Sequence, residues 1–93
     1  MITTIIKMPD RRSRDVILAQ ILDTCREAAS KTKIVYACNL NFKNAGLYLA
    51  SLTKNNLIEK AEGRRTLYKT TEMGLETLEN FRHLHDLVSE LVI

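Results

Sequence analysis

The sequence lacks the features of membrane and secreted proteins. It has no stretch near the roughly 18 consecutive apolar residues that a membrane-spanning helix needs. Residues 1–8 contain Thr3, Thr4 and Lys7, where the hydrophobic segment of a secretory signal would be continuous. We therefore expect an intracellular, cytoplasmic protein that does not enter membranes.

Cysteine is scarce. Only Cys25 and Cys38 occur, and they do not form a CxxC pair. Two cysteines without an export signal fit a reducing compartment, where disulfides are rare. Because free cysteine behaves as a small hydrophobic residue, we predict two buried thiols.

Signatures of catalysis are also missing. The sequence has no glycine-rich phosphate loop, GxSxG, HExxH or paired carboxylate site. His83 and His85 are two residues apart in a predicted helix, so they lie on different faces and cannot share a metal as an i, i+4 pair would. An enzyme is the least supported class, and we expect no metal and no cofactor.

The composition indicates one small domain. The chain has 93 residues, of which 45% are hydrophobic and 27% charged, which fits a single hydrophobic core. A domain of this size buries a modest fraction of its surface and is marginally stable alone. A second subunit would add stability, so we expect a dimer.

Charge is distributed unevenly along the chain. Residues 1–71 carry thirteen basic and six acidic side chains, a balance of +7, whereas residues 72–93 carry one basic and five acidic, a balance of −4. This asymmetry favours a polyanionic partner for the first three-quarters of the chain. An ordinary basic surface would produce the same balance.

Apolar spacing predicts three helices in the first half. Apolar residues recur at intervals of three and four over residues 14–29, and a shorter helix of about two turns follows the polar break at 30–32. Asn41 can cap a third helix that runs to about Asn55.

The third helix has an unusual outward side. Ala45, Tyr48, Leu49 and Leu52 cluster on one side of the helical wheel, and the opposite side is small, polar and cationic. No acidic residue lies between Asn39 and Asn56. A helix in the DNA major groove runs between two rows of phosphates that would repel carboxylates, so this side suits duplex binding.

After residue 56 the residue pattern no longer fits a helix and is typical of two β-strands. Residues 57–61 and 66–70 are short runs with β-branched and aromatic members, separated by a segment that contains Gly63, Arg64 and Arg65. We predict a β-hairpin in which Gly63 provides the positive φ of a tight turn and both arginines lie at the tip.

A long last helix is predicted from Glu72 almost to the C-terminus, with Thr71 as its N-cap. Its distal half has apolar residues at intervals of three and four and little protein left to pack against. We predict an intermolecular helix pair there; a helix folded back on its own domain is the alternative. The predicted dimer interface consists of Phe81, Leu84, Leu87, Val88 and Leu91.

The order of three helices, hairpin and long helix is that of a winged helix. Four segments resemble the small archaeal winged-helix proteins associated with chromatin: Arg14–Cys25 (RDVILAQILDTC), Lys31–Leu40 (KTKIVYACNL), Leu57–Ile58 with Tyr68, and Thr71–Leu78 (TEMGLETL). The resemblance covers residues 11–92. It implies general DNA binding, association with the nucleoid and pairing through a C-terminal coiled-coil helix. Residues 1–8 differ from the lysine-rich amino terminus of that family.

We therefore predict a mainly α (α+β) winged helix-turn-helix protein with an N-terminal arm (1–13), a winged-helix domain (14–71) and a dimerisation helix (72–93). Its partners are double-stranded DNA and a second copy of the chain. The base edges are assigned to Asn44, Leu47 and Ser51. The remaining predicted DNA contacts, with phosphates or the minor groove, are Arg11, Arg12, Arg14, Lys31, Lys33, Lys43, Lys54, Arg64 and Arg65.

The winged-helix fold is also compatible with two other functions. A winged-helix module can bind protein instead of DNA, and a repressor can respond to a small ligand or to oxidation, which would need a cavity or an exposed thiol. The sequence does not distinguish a transcriptional regulator from a chromatin protein. It also leaves open whether residues 1–8 form a strand or a loose arm.

Overall fold

A computed structural model describes residues 12–92; the side chain of Val92 is not among the described parts, and the predictions for residues 1–8 and Arg11 lie outside them. Within the described residues, four helices and a two-stranded antiparallel hairpin follow one another. The elements are α1 (Arg14–Thr24), α2 (Lys31–Cys38), α3 (Phe42–Lys54), β1 (Ile58–Ala61), β2 (Leu67–Thr70) and α4 (Glu72–Val92). This order confirms the predicted winged-helix arrangement.

Each helix of residues 12–92 begins with a side-chain cap. Ser13, Ser30, Asn41 and Thr71 each accept a hydrogen bond from the backbone N–H three residues further on, at distances of 2.7 to 3.2 Å. Each bond satisfies an amide that has no partner within its own helix. The caps predicted at Asn41 and Thr71 are confirmed.

The first helix is shorter than its apolar period predicted. It ends at Thr24 instead of continuing to residue 29. The chain turns away there because Ala29 exchanges two backbone hydrogen bonds with Tyr68, Ala29 N to Tyr68 O at 2.9 Å and Tyr68 N to Ala29 O at 2.8 Å. This pairing adds a one-residue bridge beside β2, which a local period cannot reveal.

The hairpin pairs in the register from Ile58 with Thr70 to Ala61 with Leu67. The prediction of a tight turn with a positive φ at Gly63 is wrong: no glycine of the described chain has a positive φ. The five-residue connection 62–66 is long enough to reverse direction without a left-handed residue. Positive φ occurs instead at Asn39 (54°) and Asn56 (63°), just after α2 and α3, where asparagine tolerates it.

The core lies between the first three helices, the hairpin and the start of α4. Cys25 and Cys38 are 0% and 2% exposed, which confirms the prediction of buried thiols. Burial raises the pKa of the Cys25 thiol to about 12, so it stays protonated at neutral pH. The core side chains are Ile17, Ile21, Leu22, Cys25, Ala29, Ile34, Cys38, Leu49, Leu52, Ile58 and Leu78.

Helix α4 packs on the domain through its first turns and then extends away from it. Leu78 is fully buried, whereas every side chain from Arg82 to Leu91 is exposed. Arg82 forms a 3.3 Å ion pair with Asp23 of α1, and the next turn of α4, at His85 and Asp86, still borders a cleft with α1. A hydrogen bond from Arg26 and the charge of Arg82 keep the pKa of Asp23 below its ordinary value. No helix of the described chain has the length and apolar character to cross a membrane.

The start of α4 depends on the absence of a side chain at Gly74. A Cβ at this position would lie 2.2 Å from the Leu57 carbonyl oxygen and 2.6 Å from Thr70 Cγ2. The Leu57 carbonyl cannot move away freely, because it accepts a 3.0 Å hydrogen bond from the Thr71 amide. Only glycine therefore permits the close packing of α4 on the hairpin at this position.

We expect Gly74→Ala to lower the free energy of unfolding by about 2 kcal/mol, because the overpacked contact forces α4 away from the hairpin. Gly63→Ala is the matched control, since nothing lies within 4 Å of the position that a Cβ would occupy there, and it should change stability by less than about 0.5 kcal/mol. Urea unfolding monitored by circular dichroism measures both. Equal stability of the two variants would contradict the packing described for α4.

Candidate nucleic-acid interface

Helix α3 buries one side and exposes the other. Ala45, Leu49 and Leu52 are at most 3% exposed, whereas Leu47, on the opposite side, is 63% exposed. We call the exposed side the outer stripe. It consists of Lys43, Asn44, Leu47, Ala50, Ser51 and Lys54.

A surface groove follows one flank of the outer stripe. Arg14, from the first turn of α1, lines this groove together with Asn44, Leu47 and Ser51 of α3. Ser13 caps α1 immediately before Arg14 and so determines where the arginine leaves the helix. The groove therefore brings an arginine beside the polar side chains that were predicted to reach base edges.

A second groove follows the other flank. Lys31 at the start of α2, Lys54 at the end of α3 and Lys60 in β1 all line it, with Ala50 of the outer stripe on its border. Gly46 leaves room for Lys31, whose Nζ lies only 3.0 Å from the position that a Cβ at Gly46 would occupy. The Lys31 ammonium also lies 5.9 Å from the centre of the Phe42 ring, a cation–π contact that orients it.

Lys60 is not among the site residues predicted from the sequence. Alternation along β1 could have identified it, because Ile58 is buried and Lys60 points to the same face of the hairpin. Lys60 also forms a 3.3 Å ion pair with Glu62 in the exposed hairpin loop. Exposed pairs of this kind contribute little to stability, so Lys60 can exchange this partner for another anion.

The charged side chains of α2 and α3 are all basic. The sequence contains no Asp or Glu from Ala28 to Ile58, a span that includes the whole of α2 and α3. Cationic side chains therefore border the outer stripe on both flanks without carboxylates between them. Such an arrangement attracts a polyanion that has charge on two sides of a groove.

Comparison with known proteins identifies the fold family. The family model described as winged helix-turn-helix matches residues 11–89, which is most of the chain. The chain belongs to this winged helix-turn-helix family.

Two uncharacterized proteins of Methanocaldococcus jannaschii are similar in sequence. MJ0290 is 36% identical over 70 residues, which cover 74% of this chain but only 33% of that protein. MJ0287 is 28% identical over 80 residues, which cover 85% of this chain and 79% of that protein. The chain thus spans about a third of the first relative and most of the second, and both relatives are archaeal.

Solved structures share the winged-helix fold. Sso10a-2, a DNA-binding protein from Sulfolobus solfataricus, has a TM-score of 0.80 and 24% identity, with 87% of this chain and 86% of that chain covered. MepR, a transcription regulator of a Staphylococcus aureus efflux pump, has a TM-score of 0.71 and 18% identity, with 84% and 59% covered. Lactococcus lactis ZitR in complex with DNA has a TM-score of 0.65 and 14% identity, with 90% and 60% covered.

The wing and the start of α2 carry the remaining predicted contacts of this winged helix. Arg64 and Arg65 are exposed in the connection between β1 and β2, and Lys33 is exposed in the first turn of α2. Within residues 12–92, no hydrogen bond or ion pair joins these three side chains to the residues that line either groove. These three residues are not among those that line the two grooves beside α3.

Arg12 differs from the free arm residue that the sequence suggested. Its guanidinium donates hydrogen bonds to the carbonyl oxygens of Cys38 at 2.7 Å and Asn39 at 3.1 Å, and to Oε1 of Gln20. Arg12 is therefore held against the domain, at the turn between α2 and α3.

The residues predicted for a dimer interface fall into two groups. Leu84, Leu87, Val88 and Leu91 are 44% to 83% exposed and lie on the part of α4 that leaves the domain. Phe81 is half-buried, lines a cleft with Leu18 of α1 and stacks on His85 with ring centres 5.6 Å apart. Phe81 thus packs in part on its own domain, and the four exposed residues form an apolar strip.

Proposed function

We propose that this protein binds double-stranded DNA by placing α3 in the major groove. The observation that carries the proposal is the outer stripe, free of acidic residues and bordered by cationic side chains on both flanks. A major groove about 12 Å wide admits one helix between two rows of phosphates. A helix with cations on both flanks is complementary to that geometry.

Different side chains contact the bases and the phosphates, according to their position. Asn44, Leu47 and Ser51 face the bases: asparagine can pair with adenine, and an exposed leucine can contact a thymine methyl group. The phosphates on the two sides meet Arg14 on one flank and Lys31, Lys54 and Lys60 on the other, and Lys43 contacts phosphates as well. Arg64 and Arg65 in the wing contact the minor groove or its phosphates, and Lys33 meets the backbone at the start of α2.

The structural neighbours support this proposal. Sso10a-2 is described as a DNA-binding protein, MepR as a transcription regulator, and ZitR was solved in complex with DNA. Binding, not catalysis, is the function proposed. On this basis the protein acts in the cytoplasm, at the nucleoid, as a chromatin-associated protein or a transcriptional regulator.

A homodimer is part of the proposal. The strip of Leu84, Leu87, Val88 and Leu91 exposes four large apolar side chains on a helix that has left its own domain. Exposed apolar surface of this kind marks an interaction site, and spacing of three and four residues suits a partner helix. Two linked domains would bind DNA with avidity, which raises apparent affinity without new contacts.

A repressor regulated by cysteine oxidation would need a reactive thiol. A sensor thiol must be exposed and ionised, but both cysteines are buried and burial raises the pKa of Cys25 to about 12. We therefore do not propose regulation through these thiols. A protein-binding module stays distinguishable by experiment, because it would not bind DNA even at low salt.

Lys60 and Lys69 provide a matched test of the DNA-binding surface. Both lysines are exposed in the hairpin, but Lys60 faces the groove and Lys69 occupies the opposite face, paired in register with Glu59. We expect Lys60→Gln to weaken binding to all duplex sequences several-fold. It should also reduce the slope of log affinity against log salt by about 0.9, the value for one lost phosphate contact.

Fluorescence anisotropy with a labelled duplex, titrated at several salt concentrations, measures both quantities. Lys69→Gln should change neither by a comparable amount, because it removes the same charge from the other face. Equal losses in the two variants would show that only net charge matters and would remove the groove from the binding surface.

Val88 and Ser89 provide a matched test of the dimer. Val88 belongs to the apolar strip, and Ser89 is an exposed neighbour that a 100° rotation places on another side of α4. We expect Val88→Asp to produce monomers and to lower apparent DNA affinity by about tenfold or more through lost avidity. Ser89→Asp adds the same charge and should stay dimeric. Sedimentation equilibrium measures the mass, and a Val88→Asp dimer would place the interface elsewhere.

A further inference from the structure

Arg12 links two parts of the proposed DNA-binding surface. It lies immediately before Ser13, the cap of α1, and its guanidinium reaches the carbonyl oxygens of Cys38 and Asn39 across 26 and 27 residues of sequence. It also donates to the side chain of Gln20, the seventh residue of α1. The first turn of α1 is thereby tied to the end of α2.

The end of α2 needs such a partner. The last carbonyl groups of a helix have no amide to accept from within the helix. Asn39 follows α2 in the left-handed conformation, with φ 54° and ψ 55°, which turns the chain toward Asn41, the cap of α3. A guanidinium has several donors in a rigid fork and so can hold two neighbouring carbonyls at once, and its positive charge is favourable at a helix C-terminus.

The two ends of this link carry DNA-facing residues. Arg14 follows Arg12 by two residues and lines the groove beside the outer stripe, while α3 begins three residues after Asn39. We infer that Arg12 is a positioning residue for DNA binding: by holding the Cys38 and Asn39 carbonyls it sets Arg14 relative to the start of α3, without contacting DNA itself. This inference rests on the proposed function and replaces the sequence-based role of Arg12 as a phosphate contact.

Three roles for Arg12 give different results. A positioning residue, when lost, lowers the affinity of the folded protein but leaves the salt slope almost unchanged, because all phosphate-binding side chains are still present. A phosphate contact lowers the slope by about 0.9. A residue that only stabilises the fold lowers the melting temperature and leaves the affinity of the folded protein unchanged.

The experiment compares Arg12→Gln with Arg14→Gln and Arg26→Gln in the full chain. Arg26 is the control, since it is also bonded to its own protein, through Asp23 at 2.8 Å, but lies at the far end of α1. We expect Arg12→Gln to weaken duplex binding about three- to tenfold with an unchanged slope, Arg14→Gln to reduce the slope, and Arg26→Gln to do neither. Anisotropy titrations at several salt concentrations and thermal melts measure these outcomes.

Arg12→Lys extends the test and covers the case in which Arg12→Gln does not fold. Lysine keeps the charge but lacks the fork, so it should rescue a phosphate contact and fail to rescue positioning. Full affinity of Arg12→Lys, a reduced slope of Arg12→Gln, or a melting change without an affinity change would each overturn the inference. Absence of duplex binding by the unaltered protein would instead overturn the proposed function, and the inference with it.

Discussion

The proposed binding surface depends on how α3 is held. Ala45, Leu49 and Leu52 are buried in the core, and this burial fixes the rotation of the helix about its axis. Every residue of the outer stripe faces solvent as a consequence. Burial of Leu49 and Leu52, each favourable by about 1.5–3 kcal/mol in hydrophobic transfer, determines which side chains are presented.

The surroundings of α3 then determine what that exposed side can bind. The start of α1 brings Arg14 to one flank, and the starts of α2 and the hairpin bring Lys31 and Lys60 to the other. These cations come from distant parts of the sequence and meet only because the helices pack around one core. An isolated α3 would have the same outer stripe but would lack the charges beside it.

Features with local causes could be predicted from the sequence. The caps at Asn41 and Thr71 and the two-sided pattern of α3 depend on residues within one or two turns of each other. Features that depend on residues distant in the sequence could not be predicted in this way. The end of α1 is set by the bridge from Ala29 to Tyr68, and the position of Arg12 by carbonyls 26 and 27 residues away. The conformation of Gly63 differs from its prediction because the loop length, not its residue types, decides the backbone path.

Helix α4 combines both kinds of constraint. Its start is fixed by the close approach of Gly74 to Leu57 and by the burial of Leu78, so the direction in which it leaves the domain is defined. Its apolar strip follows a simple period that the sequence shows directly. The direction of α4 would set the separation of the two domains in the proposed dimer.

The central claim is that the outer stripe and its two flanks form the surface that meets duplex DNA. An NMR titration of the labelled protein with a short duplex, following every backbone amide, tests it most directly. The account predicts that the largest shift changes occur in α3, at the start of α1 and α2 and in the hairpin around Lys60. Changes confined to α4, or spread evenly over the protein, would contradict it.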